Sequence, residues 1–323
     1  MGPAKPLASL SLDLDNLWSY LKTHGDAGWE AYPSYLDRFV AVALPVLERL
    51  GLRITFFVVG VDAERAENRE ALQRIASAGH EIANHSHRHE PWLQRYARAE
   101  IASELSRAEA AIERATGART RGFRGPGYSL SRDVLEELAL RGYDYDASTL
   151  PTWIGPAARA YYFMTAQLDA SQREQRAALF GGVRDAFQPI APYRWQLGAG
   201  SLLEIPVTTF PALRVPFHLS YVLFLAGRSP SLALAYFRVA LASCRTAGVA
   251  PSILLHPLDF LGADDVGALA FFPGMQLAGE RKREIASRAL ARLAERFDVV
   301  GVGAHAAHIA QQPGLRSRAP AGL

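Results

Sequence analysis

The segment "NHSHRHEPW", Asn84 to Trp92, carries three histidines within five residues, in a chain that has nine. A His85-x-x-x-His89 spacing sets two imidazoles on one side of a helical turn, with His87 pointing elsewhere and Ser86 free to support a ligand from behind. Upstream, "LDLD" sets Asp13 and Asp15 two residues apart, so both carboxylates share one face of a strand. Two imidazoles and one carboxylate are the ligand set of a catalytic zinc site that keeps a position open for water. Zinc lowers the pKa of a water it holds to about 7. One aspartate can ligate the metal while the other faces the water. Amide hydrolysis also needs an acid for the departing amine, and His256 in "LHPLD" suits that task from a distant strand, on the expected opposite side.

Each of these residues has a plainer use. Asp13 or Asp15 could cap a helix, and a lone Arg or His at a strand end is more often a satisfied hydrogen-bonding group. The argument for a site is therefore their common location, which depends on the elements that carry them.

The first half of the chain alternates strands with helices. "LASLSLDLDN" alternates apolar and polar residues as a strand does, and "LRITFFVVG" is a continuous apolar run suited to a buried parallel strand. "YLDRFVAVALPVLERLG", with a kink expected at Pro45, "AERAENREALQRIASAG" and "AEIASELSRAEAAIERATG" have helical spacing. Further strands are expected at "HEIANHS", "YDYDAS", "LLEIPVT", "SILLHP" and "FDVVGVG", and helices at "SRDVLEELALRG" and near 231–248 and 279–296. This rhythm predicts an α/β fold with a parallel sheet, and seven or eight units suit a closed (β/α) barrel better than an open sheet. Asp13 and Asp15, His85 and His89, Arg124, Asp146, and His256 with Asp259 then fall at strand carboxyl ends, which converge on one mouth in such a barrel. The expected organisation is a single barrel over 1–308 with an insertion near 150–200, followed by a disordered tail, 309–323.

Composition narrows the function class. The chain has 323 residues, 49% hydrophobic and 21% charged, with a formal net charge of +3. Its basic residues are scattered, which argues against nucleic-acid binding. One cysteine, Cys244, excludes an intrachain disulfide framework. "MGPAKPLASL" lacks the basic-then-apolar pattern of a secretory signal, so the expectation is a cytoplasmic protein, with peripheral contact at the cytoplasmic face of the membrane as an option.

In order along the chain, "SLDLDN", "HSHRH", "FRGPGY", "YDYDAST" and "LHPLD" resemble the five motifs of the NodB-type polysaccharide deacetylases, carbohydrate esterase family 4. The resemblance implies a distorted (β/α) barrel of seven or eight strands, the NodB homology fold. It implies Asp13 as general base, with Asp15, His85 and His89 as metal ligands. His256 would be the acid, Arg124 would hold the base, and Asp146 or Asp259 would tune His256. Pro126, Tyr128 and Trp153 would contact substrate. The Asp-x-Asp form of the first motif leaves an exchange of roles between Asp13 and Asp15 open. Zn2+ is the favoured ion, although such a site also accepts Co2+, Ni2+ or Fe2+.

The substrate implied is an N-acylated amino-sugar, from which an acetyl or formyl group is removed. The apolar segment 217–244 is interrupted by Arg228, Pro230 and Arg238, so no run within it reaches the ~20 apolar residues that span a bilayer. It reads equally as buried core or as an interfacial hairpin serving a lipid tail, to which "ARAYYFMTAQL" (158–168) could add aromatics. The second option resembles the subgroup acting on polyprenyl-phosphate-linked sugars, where Lys and Arg near the mouth would suit the phosphate. Alternatives are a deacetylase of soluble oligosaccharide or a small N-acyl compound, and a non-catalytic barrel that binds glycan or lipid. The last has no use for Asp13, Arg124 and His256 beside the metal triad.

Overall fold

Alternation along the first strand explains how the sheet is packed. In the computed structural model, which describes residues 5–157, 173–174 and 183–320, strand β1 (Leu7–Asp13) sends Ala8, Leu10 and Leu12 into the main apolar core. Ser9, Ser11 and Asp13 therefore face the other way, into the barrel. Helix α1 (Leu17–His24) and then α2 (Leu36–Arg49) follow, the latter burying Leu36, Phe39, Val40, Ala43, Val46 and Leu47 on one stripe. Pro45 lies within α2 without ending it.

Strand β2 (Thr55–Val58) leads into α3 (Gly60–Glu64) and α4 (Arg69–Ser77), two helices where one was expected. Next come β3 (Glu81–Asn84), α5 (Arg98–Thr116), β4 (Gly122–Phe123), α6 (Arg132–Leu140) and β5 (Tyr145–Asp146). Within the region expected as an insertion, β6 (Tyr193–Leu197) and β7 (Gly200–Glu204) form an antiparallel hairpin. The aromatic stretch 158–168 lies outside the described residues. Helices α7 (Leu219–Ala226) and α8 (Pro230–Thr246) precede β8 (Ser252–Leu255), and α9 (Gly279–Arg296) precedes β9 (Asp298–Val300). Helix α10 (Val302–Ala310) and β10 (Ser317–Arg318) complete the chain. The tail expected to be disordered thus supplies a strand, pairing Ser317 with Arg194.

Strands β8, β1, β2, β3, β4, β5 and β7 lie side by side and parallel, with β6 and β10 outside β7 and β9 alongside β1. The chain leaving β7 closes the ring. Ile205 N donates to Asp146 O at 2.8 Å and Val207 N to Thr149 O at 2.9 Å, both on the β5 side. Thr208 N then donates to Ser252 O at 2.9 Å, and Ser252 N returns a bond to Thr208 Oγ1 at 2.8 Å, on the β8 side. The fold is a distorted (β/α) barrel, as the sequence predicts. Its lower interior packs Phe57, Ala83, Tyr145, Ala147, Leu203 and Ile205 against Val302, Ala306 and Ile309 of α10, which plugs that end. The plug leaves the strand carboxyl ends as the accessible mouth.

Candidate active site

The register of the barrel determines which residues reach the mouth. Leu12 pairs with Leu255 across β1 and β8, and both point outward into the core. One residue further on, Asp13 and His256 are therefore neighbours facing inward. His256 does not come from the opposite side, as expected, because β8 is the immediate neighbour of β1. The same alternation turns Asn84 and Phe123 outward, so His85 and Arg124 face in.

Asp15, His85 and His89 form the one group of three or more metal-ligating side chains found among the described residues, with ligand atoms within 4.8 Å of one another. Asp15 Oδ1 lies 2.9 Å from His89 Nε2 and 3.4 Å from His85 Nε2. His85 Nδ1 donates to the Arg124 carbonyl at 2.6 Å, which fixes Nε2 as the nitrogen offered to the triad. Both His89 nitrogens and Asp15 Oδ1 are buried without a hydrogen-bond partner. Buried polar atoms left this way are costly, so the donor set and its orphaned atoms fit a divalent ion.

The loop does not converge by a helical turn. Ser86 and His89 adopt left-handed φ of 62° and 52°, so local strain is what folds the two imidazoles together. His87 does point away, its Nε2 lying 3.6 Å from Glu64. Ser86 Oγ has no hydrogen-bond partner, and the edge-on Trp18 ring, 6.4 Å from that of His89, provides backing instead. Burial pushes the Asp15 carboxyl up, but the His89 and His85 imidazoles outweigh it and hold it well below its ordinary value. Burial pulls His85 down, but the Asp13 and Asp15 carboxylates hold it above its ordinary value.

Arg124 is completely buried. Its Nη1 donates to Asp13 Oδ1 at 2.6 Å and to Ser11 Oγ at 2.9 Å, and its Nε to Ala147 O at 2.9 Å. The guanidinium carbon lies 4.2 Å from the Phe57 ring centroid. Oδ1 of Asp13 is thereby committed, while Oδ2 faces the triad, 3.9 Å from His85 Nε2.

His256 is half-buried, with Nδ1 3.1 Å from Ser220 Oγ and its backbone N donating to Asp259 Oδ2 at 2.8 Å. Asp259 therefore holds the His256 main chain. Asp146 is placed differently from the sequence expectation. It lies on the outer face of β5, takes a 2.6 Å bond from Ser148 Oγ, and pairs with Glu204 beneath Trp195. A two-residue strand offers no alternation from which its face could be read.

Pro126 is buried in the turn after Arg124, and the half-buried Tyr128 lies within electrostatic range of Asp13 and Asp15. Trp153 is 51% exposed and donates to Leu213 O at 2.8 Å. Sequence reasoning missed several residues here. Tyr35 donates to the Asp15 carbonyl, and Tyr20 lies close enough for Asp15 and Asp13 to help burial raise its phenol well above its ordinary value. Asp62, pushed by burial up to about 7, collects Asn16 Nδ2 at 2.7 Å and Trp18 Nε1 at 3.0 Å near Asp15. His218 and Ser220 sit within the apolar segment that drew attention only for its hydropathy. An Asn directly after "DLD" was the one usable signal.

Residues 26–145 match the family model described as polysaccharide deacetylase. That stretch of the chain resembles the polysaccharide deacetylase family. The matched stretch contains His85, His89 and Arg124; Asp13, Asp15 and His256 lie outside it and join it through the barrel register. The solved structure of a Mycobacterium smegmatis protein named as a polysaccharide deacetylase shares the fold, with a TM-score of 0.64 at 21% identity, covering 98% of this chain and 95% of that one. The uncharacterized protein YlxY of Bacillus subtilis (strain 168) is 28% identical over 100 residues, 31% of this chain and 30% of that protein, so the match spans under a third of it.

Proposed function

We propose that the protein is a metal-dependent hydrolase that removes an N-acyl group, acetyl or formyl, from an amino-sugar. The observation that carries this reading is the Asp15–His85–His89 cluster beside the Arg124-held Asp13. A divalent ion held by those three side chains would polarise the acyl carbonyl and acidify water. Asp13 Oδ2 takes the proton from the attacking water while Arg124 keeps Oδ1 fixed. His256 Nε2 gives a proton to the departing amine, one strand away. Tyr128 lies near Asp13 with its phenol neutral, since burial, Asp13 and Asp15 all hold the phenol well above its ordinary value.

The finer reading is a lipid-linked sugar. Exposed Trp153 and Leu213, joined by a hydrogen bond on the loops following β5 and β7, support an apolar rim for such a tail. To test the function, the zinc-loaded protein is incubated with soluble and lipid-linked N-acetyl and N-formyl amino-sugars, and released acid is measured. Release from at least one of them, abolished by chelator and restored by metal, is the expected result. Stoichiometric metal uptake with no acid released from any of them would leave a binding barrel and overturn the reading.

A further inference from the structure

The turn that starts α7 brings two polar side chains from an apolar stretch, "PFHLSY", against His256. Ser220 Oγ lies 3.1 Å from His256 Nδ1. The same hydroxyl interacts with the carboxylate of Asp259, whose pKa burial raises and whose neighbours His256, Ser220 and Lys282 pull back. Asp259 is 2% exposed and accepts the backbone N of His256, so its carboxylate cannot swing away to water.

We propose that Ser220 is a positioning residue, its hydroxyl linking His256 Nδ1 to Asp259 and so fixing which nitrogen of His256 faces the mouth. A hydroxyl has one proton to donate and lone pairs to accept with. Asp259, when ionised, only accepts, so the Ser220 proton goes to it and the Ser220 oxygen accepts from Nδ1–H. The neutral imidazole is thereby held as the Nδ1–H form, with the Nε2 lone pair open to the site. Protonation adds a hydrogen at Nε2. When the amine departs, the Nε2–H bond breaks, a new N–H bond forms on the leaving nitrogen, and the Nδ1–H form is restored.

The other groups around His256 leave this direction intact. His218, on the same turn, has its ring centroid 6.1 Å from that of His256, and burial, His256 and Arg124 push it down to about 3. It is therefore neutral and supplies no competing charge. Tyr221 packs edge-on against His218, 4.7 Å between centroids, and burial raises its phenol. From α9, Lys282 approaches Asp259 electrostatically, while its Nζ is bonded to the Leu258 and Leu261 carbonyls at 2.7 and 2.9 Å.

The inference rests on the proposed role of His256, but its test does not need a substrate. Nitrogen-15 spectra of the full-length zinc-loaded protein, with His256 assigned by loss of its signals in His256→Gln, report the tautomer directly. Wild type and Ser220→Thr should show neutral His256 mainly as Nδ1–H, and Ser220→Ala should lose that preference. Wild-type His256 found as Nε2–H, or a Ser220→Ala spectrum like wild type, overturns the inference. Where a substrate is in hand, Ser220→Ala should lower kcat about tenfold with KM held and should move the alkaline limb of the pH profile, Ser220→Thr restoring both. A tautomer change without any effect on turnover would keep the relay and remove His256 from the chemistry.

Discussion

At the scale of single residues, the pair Asp13 and Arg124 has two separable jobs. Arg124 is wholly buried and its charge is met by Asp13 at 2.6 Å. Removing one partner of a buried pair typically costs about 3–5 kcal/mol, because the other charge is left uncompensated. Asn keeps an acceptor at the same place, so Asp13→Asn should fall at the low end of that range by chemical denaturation. It should still bind one metal per chain, since Asp15, His85 and His89 remain, yet turnover should drop by about 10²–10⁴-fold, the usual worth of a general base. Loss of metal in Asp13→Asn with retention in Asp15→Asn would exchange the roles of the two aspartates. Residue types made these groups legible in sequence. Ser220 and Asp62 were not, because nothing in a hydroxyl or a lone Asp shows which buried partner it will meet.

At the scale of elements, the long periodic segments were readable: β1, α2 and α5 lie within two or three residues of their expected ends. Short elements were not. The helix expected at 63–79 splits at Arg65, whose extended φ/ψ of −86° and 129° ends α3. On β5, the Asp146 side chain takes the face opposite to the mouth, where it shares a buried site with Glu204. Burial and mutual repulsion raise the Glu204 carboxyl well above its ordinary value, and burial raises Asp146. A carboxyl whose folded pKa is raised contributes stability that is full below its unfolded pKa and is lost as pH rises through the folded one. The contribution of this pair to stability should therefore decline from about pH 4 upward as it is forced to ionise. Asp146→Asn replaces the shared proton by a permanent amide donor while an oxygen still accepts from Ser148. Urea midpoints measured from pH 4 to pH 8 should show the variant gaining on wild type as pH rises. A constant difference across that range would mean the two carboxyls do not share a proton.

At the scale of the whole molecule, the mouth exists because seven parallel strands close through residues 205–208 while α10 plugs the far end. Neither device was visible in sequence: the closure is four residues without regular pairing, and α10 follows a strand pattern by a single residue. The apolar segment 217–244 is also decided at this scale. Its α7 and α8 bury Leu219, Val222, Leu223, Phe237, Ala240 and Leu241, with Phe217 fully enclosed just before them, so most of it is core. Among the described residues, no helix is long and apolar enough to cross a membrane. Of the segment's aromatics, Phe224 is 52% exposed, whereas Phe217 and Phe237 are enclosed. On the loops following β5 and β7, Trp153 and Leu213 form an exposed pair, at 51% and 57%. Changing both to Ser removes apolar surface that folding does not bury, so the thermal midpoint should move by only a few degrees. Activity on a lipid-linked N-acyl sugar should fall about tenfold or more through KM, with a soluble analogue of the same sugar turned over at the wild-type rate. Phe217→Ser with Phe237→Ser, by contrast, should unfold the protein and lose both activities together. Equal losses on the two substrates in a well-folded Trp153→Ser, Leu213→Ser variant would make the rim a sugar-binding surface and remove the case for a lipid tail.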